Sequence, residues 1–131
     1  MKFHCAILLA VLVCVSCANN VELNINSKQL IGSYIHGDRI SENHLELKSS
    51  GEYIWKHTTH GQQDFDSVVG SWSFNGKTLV FTPNFNYEGN LEVAKSKKGE
   101  IILLLIANVN KYKTNYSAMQ NQLDLYAFVR K

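Results

Sequence analysis

Hydrophobic and polar residues alternate with a period of two along several short stretches of this chain, which is the pattern of β-strands with one buried face. Leu45 and Leu47 flank Glu46, so the two leucines share one face of a strand and the carboxylate lies on the other. In the stretch 68–74 the even-numbered side chains are predicted to face inward; they are Val68, Gly70, Trp72 and Phe74. From Val21 onward the pattern predicts an all-β protein without a long helix.

Residues typical of turns separate the predicted strands. Ser50-Gly51 and Asn75-Gly76 each predict a β-hairpin, the second through a type I′ turn with positive φ at both central residues. Pro83 has no N–H to donate, and is therefore predicted to end a strand. The predicted strands cover 30–35, 45–47, 52–56, 68–74, 78–81, 91–94, 101–107 and 123–130.

Two segments of the second half depart from simple alternation. The segment 101–107 is an unbroken apolar run, which predicts a central strand buried on both faces and is too short for a membrane-spanning helix. The segment 108–122 is polar and rich in Asn and Lys. A connection of that length is unusual in a compact domain, so we expect it to be mobile or to face a partner.

The N-terminus has the layout of an export signal, because Lys2 precedes an apolar run over 6–15 and small residues follow. The three cysteines of the chain all lie in its first seventeen residues; they are Cys5, Cys14 and Cys17. The signal predicts a protein that works outside the cytosol. It also predicts three parts: a signal peptide over 1–17, a polar tether over 18–28 and one domain over 29–131.

The end of this signal has two interpretations. In the first, Cys14-Val15-Ser16-Cys17 resembles a bacterial lipobox, which implies that acyl chains on Cys17 anchor the protein in a membrane. Ala18 stands where enteric lipoproteins kept at the inner membrane have aspartate, so the resemblance implies an outer-membrane lipoprotein facing the periplasm. In the second interpretation, simple cleavage after Ala18 leaves a soluble periplasmic or secreted protein.

Charge and cysteine content exclude some classes of protein. Thirteen Lys and Arg nearly balance eleven Asp and Glu, whereas a nucleic-acid partner calls for a clustered basic surface. We therefore expect no nucleic-acid partner. At most one cysteine remains after the signal is removed, so no intramolecular disulfide can form and the hydrophobic core must hold the domain together.

About eight short antiparallel strands in sequence order predict an up-and-down β-barrel in which the last strand pairs with the first. Several short motifs along the first half of the domain resemble small bacterial lipocalin-like envelope lipoproteins of the calycin type. The motifs are Leu30-Ile31-Gly32-Ser33-Tyr34, Leu45-Glu46-Leu47, Gly51-Glu52-Tyr53, Gly70-Ser71-Trp72, Asn75-Gly76-Lys77 and the segment 79–83. The resemblance implies an eight-stranded lipocalin-like barrel that holds a small hydrophobic ligand. Lipocalins proper carry Gly-X-Trp on the first strand, where this chain has Gly32-Ser33-Tyr34.

Aromatic residues on the predicted strands are the candidate ligand contacts. A barrel of eight strands is just wide enough to be filled by side chains or to hold one small ligand. Tyr53 and Trp55 share one face of their strand and Ile54 takes the other, and the pattern leaves open which face is buried. If the aromatics face inward, the ligand contacts are predicted to be Tyr53, Trp55, Trp72 and Phe81. Packing in an ordinary core is the alternative for Tyr34 and Trp72.

The alternative function is a protein-binding module of the inhibitor or immunity type. Its barrel would be filled, and the loops 83–90 and 108–122 would dock onto an envelope or secreted protein. Exposed aromatics dominate the energy of such interfaces, so the predicted anchors are Phe85, Tyr87, Tyr112 and Tyr116. Packing over one end of the barrel is the other interpretation of these four side chains.

Catalytic and metal-binding motifs are weak in this sequence. His57 and His60 are the best candidates for a metal site, but residues three apart on a strand point to opposite faces, so we expect solvated loop histidines. No nucleophile elbow, phosphate-binding loop or zinc-protease motif is present in the sequence. We therefore expect a binding protein without cofactor, and not an enzyme.

Overall fold

The computed structural model describes residues 24–38, 40–59, 66–86 and 89–131, except the side chain of Ala118. Eight antiparallel strands form a closed barrel in sequence order, and β8 completes it by pairing with β1. The strands are β1 (Gly32–Gly37), β2 (Ser41–Leu47), β3 (Glu52–Thr59), β4 (Asp66–Phe74), β5 (Thr78–Thr82), β6 (Leu91–Lys95), β7 (Ile101–Leu105) and β8 (Ala127–Arg130). The predicted fold class, an all-β eight-stranded up-and-down barrel, is confirmed.

Short helical segments accompany the barrel. A 3₁₀ helix over Ser27–Leu30 precedes β1, and the connection between β7 and β8 contains helix α1 (Ile106–Thr114), helix α2 (Tyr116–Met119) and a 3₁₀ helix over Leu123–Leu125. Within the described ranges, no helix is long and apolar enough to cross a membrane.

The interior of the barrel is filled over most of its length. Its largest fully buried side chains include Tyr34, Tyr53 and Phe128, packed among leucines from four strands and the first 3₁₀ helix; the leucines are Leu30, Leu45, Leu47, Leu79, Leu91 and Leu103. The even-numbered side chains of 68–74 face inward, as the alternation predicts, and Val68, Trp72 and Phe74 pack against this core.

One end of the barrel is closed by the N-terminal 3₁₀ helix. Leu30 is 0% exposed and enters the core, while the hydroxyl of Tyr34 donates a hydrogen bond of 2.7 Å to the Leu30 carbonyl oxygen. The guanidinium of Arg130 lies 5.3 Å from the Tyr34 ring centroid and donates hydrogen bonds to the carbonyl oxygens of Ile31 and Gln29. Strand β8 therefore ties the helix to the barrel.

Gly32 makes this arrangement possible. Its φ of +146° is a conformation that side-chain-bearing residues rarely adopt, and an added Cβ would lie 3.2 Å from Nη1 of Arg130. Gly32 and Tyr34 of the Gly-X-aromatic motif thus act together. The backbone bends at the glycine, and the aromatic side chain two residues later plugs the barrel.

The described structure also includes the end of the predicted tether. Ile25 is only 8% exposed and belongs to the core cluster. Asn26 caps the 3₁₀ helix through a reciprocal pair of hydrogen bonds with Gln29, at 3.2 Å and 2.8 Å. The segment 18–28 therefore includes a residue, Ile25, that packs in the barrel core. The predicted signal peptide and Cys17 lie outside the described residues.

The connection 108–122 is the main correction to the predicted elements. It was expected to be a long polar loop, but it forms α1 and α2. Ile106 and Ala107, predicted to end a strand, begin α1. The strand β8, predicted from Leu123, starts at Ala127 because Leu123–Leu125 forms a 3₁₀ helix.

Helix α1 explains why β7 is apolar on both faces. Leu103 points into the barrel core, whereas Ile102 and Leu104 form a second cluster with Ala127 on the outer wall. Val109 and Tyr112 of α1 pack against that second cluster. The prediction of a strand buried on both faces is confirmed, and the cover on its outer face is a helix.

The hairpin between β4 and β5 is present but is centred one residue later than predicted. Asn75 pairs with Thr78, with its N–H 3.2 Å from the Thr78 carbonyl oxygen, so the two central residues are Gly76 and Lys77. Gly76 has φ +96°, and no described residue other than glycine has a positive φ. The predicted type I′ turn, which requires positive φ at Asn75, is therefore wrong.

Candidate functional site

A cleft of about 280 Å³ opens at the end of the barrel opposite the N-terminal 3₁₀ helix. This end, called the mouth below, carries the connections that follow β1, β3, β5 and β7. The cleft is lined mainly by apolar side chains, with one histidine and two asparagines; the lining residues are His36, Asn43, Trp55, Phe85, Asn86, Leu105 and Phe128. An apolar cleft with a few polar groups is the usual form of a small-molecule site.

Phe85 is the central aromatic side chain of the mouth. It follows β5 in the chain and turns inward, stacking on Trp55 at a centroid distance of 5.4 Å and an interplanar angle of 19°. It also contacts two deeper rings, Phe81 edge to face at 4.8 Å and Tyr53 at 5.6 Å with a tilt of 49°, and it meets Phe128 edge to face at 6.3 Å. Phe85 therefore forms the floor between the filled core and the open cleft.

The position of Phe85 depends on a close backbone approach at Gly70. A Cβ on Gly70 would lie 2.3 Å from the Thr82 carbonyl oxygen and 2.7 Å from Cδ of Pro83. The Tyr53 hydroxyl donates a hydrogen bond to the Pro83 carbonyl oxygen. Strand β5 ends at Thr82, as the sequence predicts from Pro83, and the chain then folds over Tyr53 into the mouth.

Asn43 organises the polar side of the cleft. Its Oδ1 accepts a hydrogen bond of 3.2 Å from Nε1 of Trp55 and another of 3.1 Å from Nδ1 of His57. Its Nδ2 donates a bond of 3.3 Å to the His36 carbonyl oxygen. The indole of Trp55 is thus held on both faces and at its N–H, since His57 stacks on it at 6.1 Å and 22°.

His36 lines the cleft with a defined tautomer. Its Nδ1 lies 2.8 Å from the Asp124 carbonyl oxygen, and a carbonyl oxygen only accepts, so Nδ1 carries the proton. In the neutral ring Nε2 is then a hydrogen-bond acceptor. The ring also packs against Phe128 at a centroid distance of 5.1 Å.

A second depression lies directly beside the cleft. This groove, of about 490 Å³, is lined by Gly37, Asp38, Glu42, Asn121, Gln122, Asp124 and Leu125. His36 and Asn43, which line the cleft, pair with each other across β1 and β2, and the next rung of the ladder is Gly37 with Glu42. Asp38, Glu42 and Asp124 therefore line a groove at the same end of the barrel as the cleft, although Glu42 alternates with Asn43 and points to the outer face of β2.

The carboxylate of Asp38 is held in place by backbone N–H groups. Its Oδ1 accepts bonds of 2.7 Å from Ile40 and 2.9 Å from Ser41. These two bonds, with Ser41 the larger contributor, lower the pKa of Asp38 below its ordinary value, and the positive charge of His36 adds to this when its ring is protonated. Asp38 is thus ionised over the whole physiological pH range.

The four predicted ligand contacts fall at different depths. Trp55 lines the cleft, whereas Tyr53 and Phe81 lie beneath its floor, 0% and 3% exposed. Trp72 lies toward the opposite end, where its Nε1 donates a bond of 3.0 Å to the Lys48 carbonyl oxygen. The open question about β3 is answered, because Tyr53 and Trp55 face inward and Ile54 faces outward.

The predicted partner anchors are also divided. Phe85 packs in the mouth, and Tyr87 lies outside the described residues. Tyr112 donates a hydrogen bond of 2.6 Å to the Lys95 carbonyl oxygen, and the Tyr116 hydroxyl accepts one of 3.1 Å from the Lys97 N–H. Their rings meet edge to face at 5.2 Å, so both tyrosines fasten the helices to the hairpin between β6 and β7.

The histidines give no metal centre within the described part of the chain. His57 lies on β3 and bonds Asn43, while His60 is outside the described residues. Among the residues with described positions, no group of three or more His, Cys, Asp or Glu side chains is placed to hold a metal ion.

Sequence reasoning missed His36, Asn43, Leu105 and Phe128 as cleft residues. A signal was present for two of them, since His36 is two residues beyond the inward-facing Tyr34, and Asn43 is two residues before the inward-facing Leu45. A polar residue at the next inward-facing position toward the end of a strand indicates that the barrel is open to water at that end. Phe85 was predicted either as a partner anchor or as packing over one end of the barrel, and it packs in the mouth.

Comparisons with protein families, with curated proteins and with solved structures gave no match to this chain. The geometry of the barrel and its mouth is therefore the basis for assigning a function.

Proposed function

We propose that this protein is a lipocalin-like binding protein that holds one small, mainly apolar ligand in the mouth of its barrel. The observation that carries this proposal is the cleft of about 280 Å³ lined by Trp55, Phe85, Leu105 and Phe128. Ligand sites are usually concave, mainly apolar and largely preformed, with a few polar groups that fix orientation. The cleft combines those properties.

The size of the cleft limits the ligand. Sites for drug-sized molecules span about 300 to 1,000 Å³, and this cleft lies just below that range. The filled core beneath Phe85 leaves no room for a long acyl chain. The proposed ligand is therefore a compact molecule of one or two rings or a short branched chain.

The rigidity of the cleft wall supports specific binding. Trp55 is held by the Asn43 hydrogen bond and by stacking on His57 and Phe85. An aromatic wall that is fixed before binding loses little side-chain entropy when the ligand arrives. Tyr112 and Tyr116, in contrast, are engaged within the protein, which weakens the alternative of a protein-binding module anchored by them.

The test is a titration with a neutral fluorescent apolar probe, N-phenylnaphthylamine, against the purified domain. We expect saturable binding with one site per chain. Leu105→Trp fills the cleft and is expected to weaken binding by about tenfold or more. The matched control is Val69→Trp, which adds the same side chain at an outward position that is 55% exposed. Absence of saturable binding, or an equal loss in both variants, would contradict the proposal and favour the protein-binding module.

We further propose that the protein is exported and anchored in the outer membrane by acyl chains on Cys17, facing the periplasm. The support is the sequence of residues 1–18, in which an export signal ends in the lipobox-like Cys14-Val15-Ser16-Cys17. Mass spectrometry of the mature N-terminus from the native host tests this. A diacylated or triacylated Cys17 is expected, and an unmodified Asn19 at the N-terminus would show that the protein is instead soluble.

A further inference from the structure

The mouth carries a charge pattern that the apolar cleft alone does not explain. None of the seven side chains lining the cleft is an Asp, Glu, Lys or Arg. The groove beside it, in contrast, is lined by Asp38, Glu42 and Asp124. The body of a ligand in the cleft would therefore contact only uncharged side chains. The end of the ligand at the rim would lie near the carboxylates of the groove.

The imidazole of His36, which lines the cleft, presents a hydrogen-bond acceptor at the rim. His36 is fixed with its proton on Nδ1 by the Asp124 carbonyl oxygen, 2.8 Å away, so neutral Nε2 can only accept. Within the described residues, no hydrogen bond to Nε2 is present. Oδ1 of Asn43, a second side-chain acceptor of the cleft, already receives two bonds, and the amide of Asn86 also lines the cleft. The rim is thus suited to a ligand that brings a hydrogen-bond donor.

The charged side chains that line the groove are all carboxylates in the described part of the chain; they are Asp38, Glu42 and Asp124. Glu42 contacts Nε2 of His44 at 3.1 Å and lies about half exposed. No described Lys or Arg lines the groove, and this favours a cation over an anion by charge complementarity.

We propose that the ligand is a small organic amine. Its apolar or aromatic body occupies the cleft against Trp55 and Phe85, and its ammonium group lies at the rim, where it donates to Nε2 of His36 and is attracted by the carboxylates of the neighbouring groove, Asp38 and Glu42. This inference rests on the proposed function, because it gives the chemical class of the ligand for the same cleft. A neutral compound of the same shape would keep the apolar contacts and lose the charge interaction.

The experiment compares three compounds that share an indole ring and differ in charge: tryptamine, tryptophol and indoleacetate. Isothermal titration calorimetry at low salt is expected to give affinities in the order amine, alcohol, acid. Partly exposed ion pairs are individually weak, so we expect tryptamine to bind about fivefold more tightly than tryptophol. Raising the ionic strength from about 0.01 M to about 1 M shortens the Debye length from about 30 Å to about 3 Å, and should remove most of this preference.

Two variants locate the source of the preference. Asp38→Asn with Glu42→Gln removes two rim charges and keeps the side-chain oxygen that caps the turn after β1. It is expected to bring the tryptamine-to-tryptophol affinity ratio close to one. Glu46→Gln is the control, since Glu46 is exposed on the same strand but lies four residues further from the mouth; its ratio should match that of the unmodified protein.

The outcomes separate this inference from the proposed function. Binding of none of the three compounds, together with no binding of the neutral apolar probe, would overturn the function itself. Equal binding of amine and alcohol, or preferred binding of the acid, would overturn the amine inference and leave a neutral or anionic ligand for the same cleft. A preference for tryptamine that survives in the double variant would also contradict the assigned role of the rim carboxylates.

Discussion

The two ends of the barrel are built in opposite ways. At the closed end, the N-terminal 3₁₀ helix places the fully buried Leu30 in the core, and Arg130 and Tyr34 bond the backbone of that helix. At the mouth, the aromatic side chains of Trp55 and Phe85 are only partly buried and border open space. The same strands therefore form a filled, closed end on one side of the barrel and an open apolar cleft on the other.

The two ends of the barrel differ because different parts of the chain cover them. The closed end is covered by a segment that immediately precedes β1, so a short local connection suffices. The mouth is covered in part by one side chain, Phe85, from the connection after β5. A helical plug is fixed by backbone hydrogen bonds as well as packing, whereas a single aromatic ring is fixed by packing alone. Substitutions at the closed end should therefore affect stability, and those at the mouth should affect binding.

Leu30→Ala is expected to have the largest effect on stability. Leu30 is 0% exposed in the core, and truncation of a buried leucine to alanine costs about 2 to 5 kcal/mol through lost burial and the cavity left behind. Urea denaturation followed by tryptophan fluorescence measures this cost. Lys28→Ala, at an exposed position of the same 3₁₀ helix, is the control and should change the free energy of unfolding by less than about 0.5 kcal/mol. Similar small effects of both would mean that the 3₁₀ helix does not close the barrel.

Phe85→Ala is the corresponding change at the mouth. Because Phe85 is only partly buried, its loss should lower the free energy of unfolding by about 1 to 2 kcal/mol, less than a fully buried phenylalanine. It should also merge the cleft with the space occupied by the ring, so that larger apolar probes bind more tightly than in the unmodified protein. Asn84→Ala, at an exposed position of the same connection, is the control. A Phe85→Ala protein as unstable as Leu30→Ala would remove the contrast between the two ends.

Arg130→Lys tests the second component of the closed end. Lysine keeps the charge but not the fork that reaches the carbonyl oxygens of Ile31 and Gln29 while packing over the Tyr34 ring. We expect a loss of about 1 kcal/mol in the free energy of unfolding, with unchanged affinity for the apolar probe. Reduced probe binding would indicate that the closed end and the mouth are coupled.

The sequence predicted the strands well wherever alternation and turn residues acted together. The even-numbered face of 68–74, the end of β5 at Pro83 and the two-faced burial of 101–105 all follow from local chemistry. The helix over Ile106–Thr114 could not be predicted in this way, because its sequence is polar and its apolar contacts, Val109 and Tyr112, are few. Its position depends on the apolar outer wall that β7 and β8 form together. That wall exists only once the two strands have paired.

The candidate site was less predictable than the fold. Trp72 was correctly predicted to face inward, whereas the direction of Tyr53 and Trp55 was left open. The sequence also does not give the height of each residue along the barrel axis, and this height separates Trp55 in the cleft from Trp72 at the other end. The inward turn of Phe85 depends on the close approach of Pro83 to Gly70. Such contacts join distant parts of the chain and leave no local pattern.

The two ends should also respond to opposite extremes of pH, which gives the smallest and most selective of the expected effects. Burial raises the pKa of Tyr34 at the closed end, although Arg130 acts in the opposite direction. The folded state therefore favours the neutral phenol, and its contribution to stability is complete below the unfolded value of about 10 and is lost as pH rises through the folded pKa. Asp38, beside the mouth, has a lowered pKa, so its contribution is present above about pH 4 and is lost as pH falls through the folded pKa.

Thermal unfolding across this pH range distinguishes the two groups. Tyr34→Phe is expected to lower the melting temperature at neutral pH, because the bond to the Leu30 carbonyl is lost, and to make the decline above pH 10 shallower. Part of that decline should persist, since burial also raises the pKa of Tyr53 and Tyr112. Asp38→Asn should leave the alkaline decline unchanged and reduce only the acid one. An alkaline decline equally steep in the Tyr34→Phe protein would show that the closed end is not the pH-sensitive part of the barrel, and the division of roles between its two ends would then lack this support.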